Sequence, residues 1–288
     1  MRPLNRIFGL RSRVLLGILI AGGWAAWQLQ LDFRELLPSN RWDTARDFFH
    51  AALSPAIVYE DPTPAGTQPL LVKVAKGIWQ TICFAMTAIS MAIIGGVLLG
   101  FLSSSAWWED DPARDTNWLR QLLRNLITPT IVWLTRTFVV LIRSIHELLW
   151  AILFLSAMGL NTLTAILAIA VPYTGYFAKV FSEIIDETPR DAAYAIRELG
   201  GSPFHVFFFG LLPRALPDMT AYVCYRFECA LRSSAVMGFF GIPTIGYYLR
   251  PAFDEQHFHE VWTYLYALML LIVIVDRWSD LLRRRITQ

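Results

Sequence analysis

The chain alternates long apolar runs with short polar stretches, and the lengths of the runs set the scale of its elements. Residues 14–31, 73–102, about 139–159, 163–185, 215–240 and 261–276 each read as a helix that crosses a membrane, because about 20 helical residues span a bilayer's hydrocarbon core. The polar stretches between them carry the turn residues. Pro38, Pro55, Pro62 and Pro64 fall in the first, Gly159 and Asn161 form a tight turn, and Pro243, Gly246 and Pro251 mark the last, 241–260, as a loop. Gly95, Gly96 and Gly100 form a strip of small residues that predicts close approach of a second helix, and Pro172 and Gly175 predict a kink in 163–185. The pattern predicts an all-α integral membrane protein of about six transmembrane helices.

Composition agrees with the pattern. Hydrophobic residues make up 55% of the 288 positions and charged residues 17%, with a mean hydropathy of +0.44, which is too apolar for a soluble domain. A net charge of +2 with no basic stripe excludes a nucleic-acid partner. Cys83, Cys224 and Cys229 sit in apolar stretches without metal-ligand spacing and read as small buried hydrophobes.

Charge then orients the chain. Arg2, Arg6, Arg11 and Arg13 precede the first run, and Arg277, Arg283, Arg284 and Arg285 follow the last, so both termini are expected in the cytoplasm. The first run reads as a retained anchor in preference to a signal peptide, because no small-residue cleavage site precedes Asp32. Residues 32–68 are rich in acids and predict an external loop, with a short amphipathic helix around Phe48, Phe49, Ala52 and Leu53. Residues 103–125 form a mixed-charge connector on the inside. The expected division is an anchor with its loop over 1–73 and a membrane core over 74–288.

Residues 127–159 exceed one span. We read one helix over about 139–159 with an amphipathic lead-in at the interface; a pair of tight spans divided at Arg143 to Glu147 is the competing reading. Arg143, Glu147, Arg226, Glu228 and Arg232 fall in or near spans, where an ionisable side chain is costly and is paired or faces a path. With Ser233 and Ser234 they are the candidate substrate path. The bland alternative is structural pairing, Arg143 with Glu147 and Arg226 with Glu228.

The polar stretch 189–217, PRDAAYAIRELGGSPFHVFFFGLLPRALP, is expected on the cytoplasmic side by alternation. It predicts a short helix ending at Gly200, then a second helix capped by Ser202 and interrupted at Pro213. Its spacing resembles the cytoplasmic coupling motif of ATP-binding-cassette (ABC) importer permeases: Glu-Ala-Ala, three residues, Gly, nine residues, Ile, any residue, Leu-Pro. Gly200 as the glycine places Tyr194, Ala195 and Ile196 on Glu-Ala-Ala and Leu212-Pro213 on Leu-Pro, with Asp191-Ala192-Ala193 a decoy six residues before Gly200. Gly210, where most such motifs carry Ile, resembles the phosphonate-importer version. The stretch 143–151, RSIHELLWA, the stretch 225–228, YRFE, and the stretch 232–238, RSSAVMG, resemble the same family, as do Gly241 and Gly246 in the turn that follows, where Ile242, Pro243 and Thr244 replace smaller residues.

That resemblance implies a type I ABC importer permease fold, not an enzyme, in the bacterial inner membrane. Tyr194, Ala195, Ile196, Arg197, Glu198, Leu199, Gly200, Ser202, Gly210, Leu212 and Pro213 would couple to an ATPase, and Gly238, Gly241 and Gly246 would form a gate turn. It implies two permease subunits, identical or paralogous, two cassette ATPase subunits that bind the ATP and Mg, and an external phosphonate-type binding protein, with membrane lipids around them. No Walker A, HExxH or G-x-S-x-G sequence is present, and the His257, His259 and Glu260 cluster reads as polar loop, so this chain itself is expected to bind no cofactor or metal. Two rivals stay in view. An intramembrane enzyme acting on lipid phosphate would need a nucleophile or metal cluster, and an ion-coupled transporter would need repeated halves.

Overall fold

The computed structural model describes residues 10–31, 39–62, 64, 66–105 and 118–286. Arg2, Arg6, the acidic positions Asp32 and Glu35, and 106–117 of the expected inner connector lie outside these. The chain divides into two compact units, 1–54 and 55–288. The first holds α1 (Leu10–Gln28) and α2 (Ser39–Ala51). α1 presents apolar side chains such as Leu15, Leu19 and Trp27 outward, and in α2 Phe48 and Phe49 meet edge to face at 5.5 Å.

The second unit is a bundle of α3 (Leu70–Ser103), α4 (Trp118–Ser144), α5 (Glu147–Met158), α6 (Thr162–Glu187), α7 (Asp191–Glu198), α8 (Pro203–His205), α9 (Leu212–Met237), α10 (Ile245–Asp254) and α11 (Phe258–Ile286). α6 is the central helix and packs on α3, α4, α5 and α9. On the α3 side this contact is built of small residues: Ala85, Ala88 and Ala92 share a core with Ala165, Ala168, Ile169, Tyr173 and Phe177 of α6. Large apolar side chains point the other way, among them Trp79, Ile94 and Leu98 of α3, Trp133 and Leu141 of α4, and Leu270 and Ile274 of α11. A bundle in lipid gains nothing by hiding leucine from its solvent, so it packs on small residues that let backbones approach.

The glycine strip on α3 acts as expected. A Cβ on Gly95 would lie 2.7 Å from the Thr174 methyl, one on Gly96 would collide with Phe177 Cβ, and one on Gly100 would sit 3.2 Å from Phe181 Cβ. Gly175 does the same for α4, where a Cβ would meet Arg143 and Ile142 at 3.2 Å. α6 runs as one helix through Pro172 and Gly175.

Four helices, among the described residues, are long and apolar enough to cross a membrane: α3, α4 from Leu126, α6 and α11. α1 carries Arg11 and Arg13 in its first turns, and α9 carries Arg214, Asp218, Arg226, Glu228 and Arg232. These charges dilute the apolar character of both.

Three expectations are corrected. The helix read over 139–159 is broken: α4 runs unbroken from the lead-in to Ser144, and α5 starts afresh at Glu147 with His146 as its N-cap, accepting from Leu148 N–H at 3.3 Å. The two halves nonetheless follow one course along α6, because Arg136 reaches Asp186 near the end of α6 while Gly159 turns into its start. Half of the loop read over 241–260 is α10, whose Ile245, Gly246 and Ala252 face inward; its turn residues concealed an amphipathic face. Finally, Pro213 does not interrupt the helix before it. Residues 206–211 widen into a π-turn, Leu212 N–H bonds Phe207 C=O, and Pro213 becomes an early residue of α9. The wide turn leaves room for the ring, which would otherwise clash with the carbonyl four residues back.

Residues 55–62 are clasped to the start of α11. Glu60 Oε1 accepts from the N–H groups of His259 (2.9 Å) and Glu260 (3.2 Å), while Glu60 N–H donates to Glu260 Oε1 at 2.9 Å. A carboxylate from a distant segment thus caps the helix and satisfies donors that the helix itself cannot. His257 of the same corner pairs with Asp61 (3.3 Å) and Glu255 (3.4 Å).

Candidate coupling elbow, ion network and gate turn

The elbow is built at one end of the bundle. α7 ends in a left-handed glycine: Gly200 has φ +84°, its N–H donates to Arg197 C=O at 2.9 Å, and Gly201 N–H reaches Ile196 C=O at 2.9 Å. This paired closure is what a glycine after the helix allows. Ser202 Oγ lies 2.6 Å from His205 Nδ1 and starts the next helical stretch. Phe101 at the end of α3 packs on Phe204 (5.6 Å), Phe207 (4.6 Å) and Phe208 (6.5 Å), which fixes the elbow to the bundle.

α7 has two faces. Ala193 is buried and Ile196 half-buried against Gly210 of the π-turn, where a Cβ would sit 3.2 Å from Ala193 Cα and 3.3 Å from Ile196 Cδ1. Tyr194 (53% exposed) and Leu199 (88%) point away from the bundle, with Ala195 and Glu198 also exposed. Ala193, from the Asp191-Ala192-Ala193 stretch set aside as a decoy, therefore supplies the inner contact, and the residues aligned by spacing mostly supply the outer face. Leu212 and Pro213 begin α9, so the elbow and α9 are one continuous element.

Beside this end, Asp186 of α6 gathers α3 and α4. It accepts from Ser104 Oγ (2.6 Å), Ser105 N–H (2.9 Å) and Arg136 Nη2 (3.3 Å), while Arg136 Nε donates to Ser103 C=O at 2.9 Å. Sequence reading did not single out Asp186. Arg143 lines an adjoining cleft of about 410 Å³ with Arg136, Lys179, Ser182, Glu183 and Asp186.

Within the bundle the ionisable residues pair otherwise than expected. The break at Ile145 and His146 separates Arg143 from Glu147, which instead accepts from Ser233 Oγ at 2.8 Å and lies 3.8 Å from His146. Glu228 bonds Arg232, one turn on, at 2.7 Å. Arg226 pairs with no carboxylate among the described residues. Its Nε donates to Tyr222 Oη at 2.7 Å, and its guanidinium carbon lies 4.2 Å from the ring centre of Tyr176, 5.3 Å from Tyr222 and 5.9 Å from both Tyr173 and Tyr225. Each such contact stabilises a cation by about 0.5–2 kcal/mol, more when water is excluded. Tyr173 Oη lies 3.3 Å from Ser233 Oγ and so joins this box to Glu147. Sequence reading quoted Tyr225 within the YRFE stretch but missed Tyr173, Tyr176 and Tyr222 as partners of Arg226, although Tyr222 stands four residues before it and Tyr173 and Tyr176 share a helix face.

Ser234 is not in this network. It is fully buried and donates to Thr81 C=O of α3 at 3.1 Å, while Thr81 Oγ1 accepts from Ile245 N–H at 3.0 Å. Thr81 thereby ties the end of α9 and the start of α10 to α3. Here two of the glycines expected in a gate turn serve close approach: a Cβ on Gly246 would strike Ala235 C=O, and one on Gly238 would strike Tyr247 N. Gly241, at φ +94°, makes the turn between them beside Leu160.

The chain is similar to known permease proteins. The chain is 30% identical over 156 residues to a phosphite transport system permease protein, PtxC, of Stutzerimonas stutzeri, covering 54% of this chain and 57% of that protein. It is 25% identical over 158 residues to a phosphate-import permease protein, PhnE, of Mycolicibacterium smegmatis, covering 55% and 30%. The chain thus matches from about a third to a little over half the length of these relatives. A solved chain of the MetNI methionine ABC transporter, in inward-facing conformations, has the same fold over 77% of this chain and 100% of its own, with a TM-score of 0.61 at 18% identity. Residues 118–288 match the family model itself, and the chain belongs to the family of binding-protein-dependent transport system inner membrane components.

Proposed function

We propose that this chain is the permease subunit of an ATP-driven importer that moves a small phosphorus oxyanion, phosphonate being the first ligand to test, across the bacterial inner membrane. A second permease subunit, identical or paralogous, two cassette ATPase subunits carrying ATP and Mg, and an external binding protein complete the complex. The elbow end and both termini face the cytoplasm, and the corner around Glu60, Gln256 and Glu260 faces outside. Family membership and relatives named for phosphite and phosphate support the reading.

One observation carries it. α7 offers Tyr194 and Leu199 to a partner while its inner face is seated on Gly210, and the π-turn runs straight into α9, which carries Arg226 and Ser233. A helix held in an ATPase groove is then a handle on the helix that lines the path. The rival enzyme reading gains nothing from this arrangement.

The test is co-expression of the tagged chain with a cassette ATPase and a phosphorus-oxyanion binding protein from the same organism, in cells lacking other phosphorus-oxyanion importers. The ATPase should co-purify, and uptake of phosphite, phosphate or methylphosphonate should depend on ATP hydrolysis. A cysteine at Gln256 should react with an impermeant thiol reagent in intact cells. Purification of the chain without any ATPase, together with no uptake of the three anions, would overturn the proposal.

A further inference from the structure

Arg226 differs from the other arginines of its helix. Arg232 is neutralised by Glu228, and Arg214 lies 3.8 Å from Asp191. Arg226 keeps its full charge in a half-buried position with no acid beside it among the described residues, held by four tyrosine rings and one hydroxyl. The acid that could have cancelled it, Glu147, is turned instead toward Ser233. A cation stacked on rings is stabilised without losing its hydrogen-bonding edge, whereas a carboxylate would occupy that edge. The Nε donor of Arg226 is spent on Tyr222, which orients the guanidinium plane. Both Nη groups make no hydrogen bond among the described residues, and neither is sealed from solvent. The hydroxyls of Tyr176 and Tyr225 are likewise uncommitted, and Tyr225 is 47% exposed.

Resting on the permease reading above, we propose that Arg226, with Tyr176 and Tyr225, is an oxyanion-binding site within the bundle, taking a tetrahedral phosphorus oxyanion with at least two unsubstituted oxygens. The planar fork of two Nη groups matches an O–P–O edge, and phenolic O–H groups donate to the remaining oxygens. Phosphite, phosphate and methylphosphonate each present such an O–P–O edge, so all three are candidate ligands of the site. The same chemistry belongs to a lipid phosphate, and the two sources are separable.

The experiment uses the full chain purified in a phosphate-free detergent, with phosphite, inorganic phosphate and methylphosphonate as probes and ³¹P line broadening as the readout. The wild type should broaden the probes. Arg226→Gln should weaken binding at least tenfold, Arg226→Lys should restore part of it without the fork, and Tyr176→Phe, which keeps the ring and removes the hydroxyl, should weaken it a few-fold. Arg284→Gln, exposed at the end of α11, should match the wild type. Thermal unfolding of each variant shows whether it is folded. In a second arm, anionic lipid retained by the wild type and lost in Arg226→Gln by native mass spectrometry, with the free probes unbroadened, would support the oxyanion site and assign it to a lipid headgroup. No broadening and no retained lipid in the wild type, or binding undiminished in a folded Arg226→Gln protein, overturns the site. Uptake that survives Arg226→Gln, with no bound lipid lost in that variant, overturns the site and leaves the importer reading standing. Binding by a wild type that transports nothing does the reverse.

Discussion

Gly210 lies directly over Ala193: a Cβ on the glycine would be 3.2 Å from Ala193 Cα and 3.3 Å from its nitrogen. The first residue belongs to the π-turn that opens into α9 and the second to α7, so this contact is where the elbow is keyed to the bundle. Backbone sits on the receiving side, and a side chain there has no rotamer by which to yield.

Gly210→Val should therefore displace α7 by wedging it off the π-turn, at a cost of about 1–3 kcal/mol typical of overpacking. The bundle below is untouched. The expected result is a protein that inserts and purifies normally, with an assembled complex whose ATP hydrolysis no longer responds to substrate-loaded binding protein. An unchanged response would show that α7 transmits without this contact.

Gly200 is constrained differently. Nothing lies within 4 Å of its missing Cβ, so the demand comes only from φ +84°. Gly200→Asn should be tolerated, while Gly200→Val should cost about 1–2 kcal/mol and fray the end of α7. Uptake in the order wild type, Asn, Val checks this; equal uptake by Asn and Val variants would mean that the backbone there is free to change.

How much of this was legible in the sequence depends on which force decides each element. The small-residue strip Gly95, Gly96, Gly100 was readable because helix approach in lipid is governed by side-chain size alone, and the Gly200 stop because αL backbone favours glycine. The break before Glu147 entered only as the competing reading, because no proline or glycine marks it and the stop comes from His146 capping the following turn. α10 was hidden by Pro251 and Gly246, whose turn chemistry outweighed an amphipathic face in the reading. The Arg226 box was half visible. A charge in an apolar run announces itself, but its partners come from α6 as well as α9, and a single sequence gives no register between two helices.

Arg232 should behave unlike Arg226. It is about half exposed and bonds Glu228, whose side chain is only 16% exposed, at 2.7 Å. Arg232→Gln strands a nearly buried carboxylate, at a cost of about 1–3 kcal/mol. The amount of assembled complex should fall in step with uptake, and Glu228→Gln in the same chain should recover part of both. Loss of uptake at full assembly would place Arg232 in the path instead.

The tightest packing in the bundle is where α10 starts against the end of α9. A Cβ on Gly246 would run into the carbonyl oxygen of Ala235 and lie 3.4 Å from Gly238 Cα, so the backbone of α10 meets that of the end of α9 without a side chain between them. Thr81 fastens this corner from α3 through Ile245 N–H. Gly246→Ala must push α10 outward and stretch that hydrogen bond, and overpacking of backbone on backbone should cost about 2–3 kcal/mol. Thr81→Val, nearly the same shape, removes that bond together with the Thr81 Oγ1 donation to Gly77 C=O at 2.7 Å, and leaves Ile245 N–H unsatisfied, at about 1–3 kcal/mol. Both variants should unfold several degrees lower in a thermal assay, and both should raise labelling of a cysteine placed at exposed Tyr247 on α10. If Gly246→Ala unfolds at the wild-type temperature with unchanged labelling, α10 is not held by this contact, and the turn through Gly241 moves independently of α9.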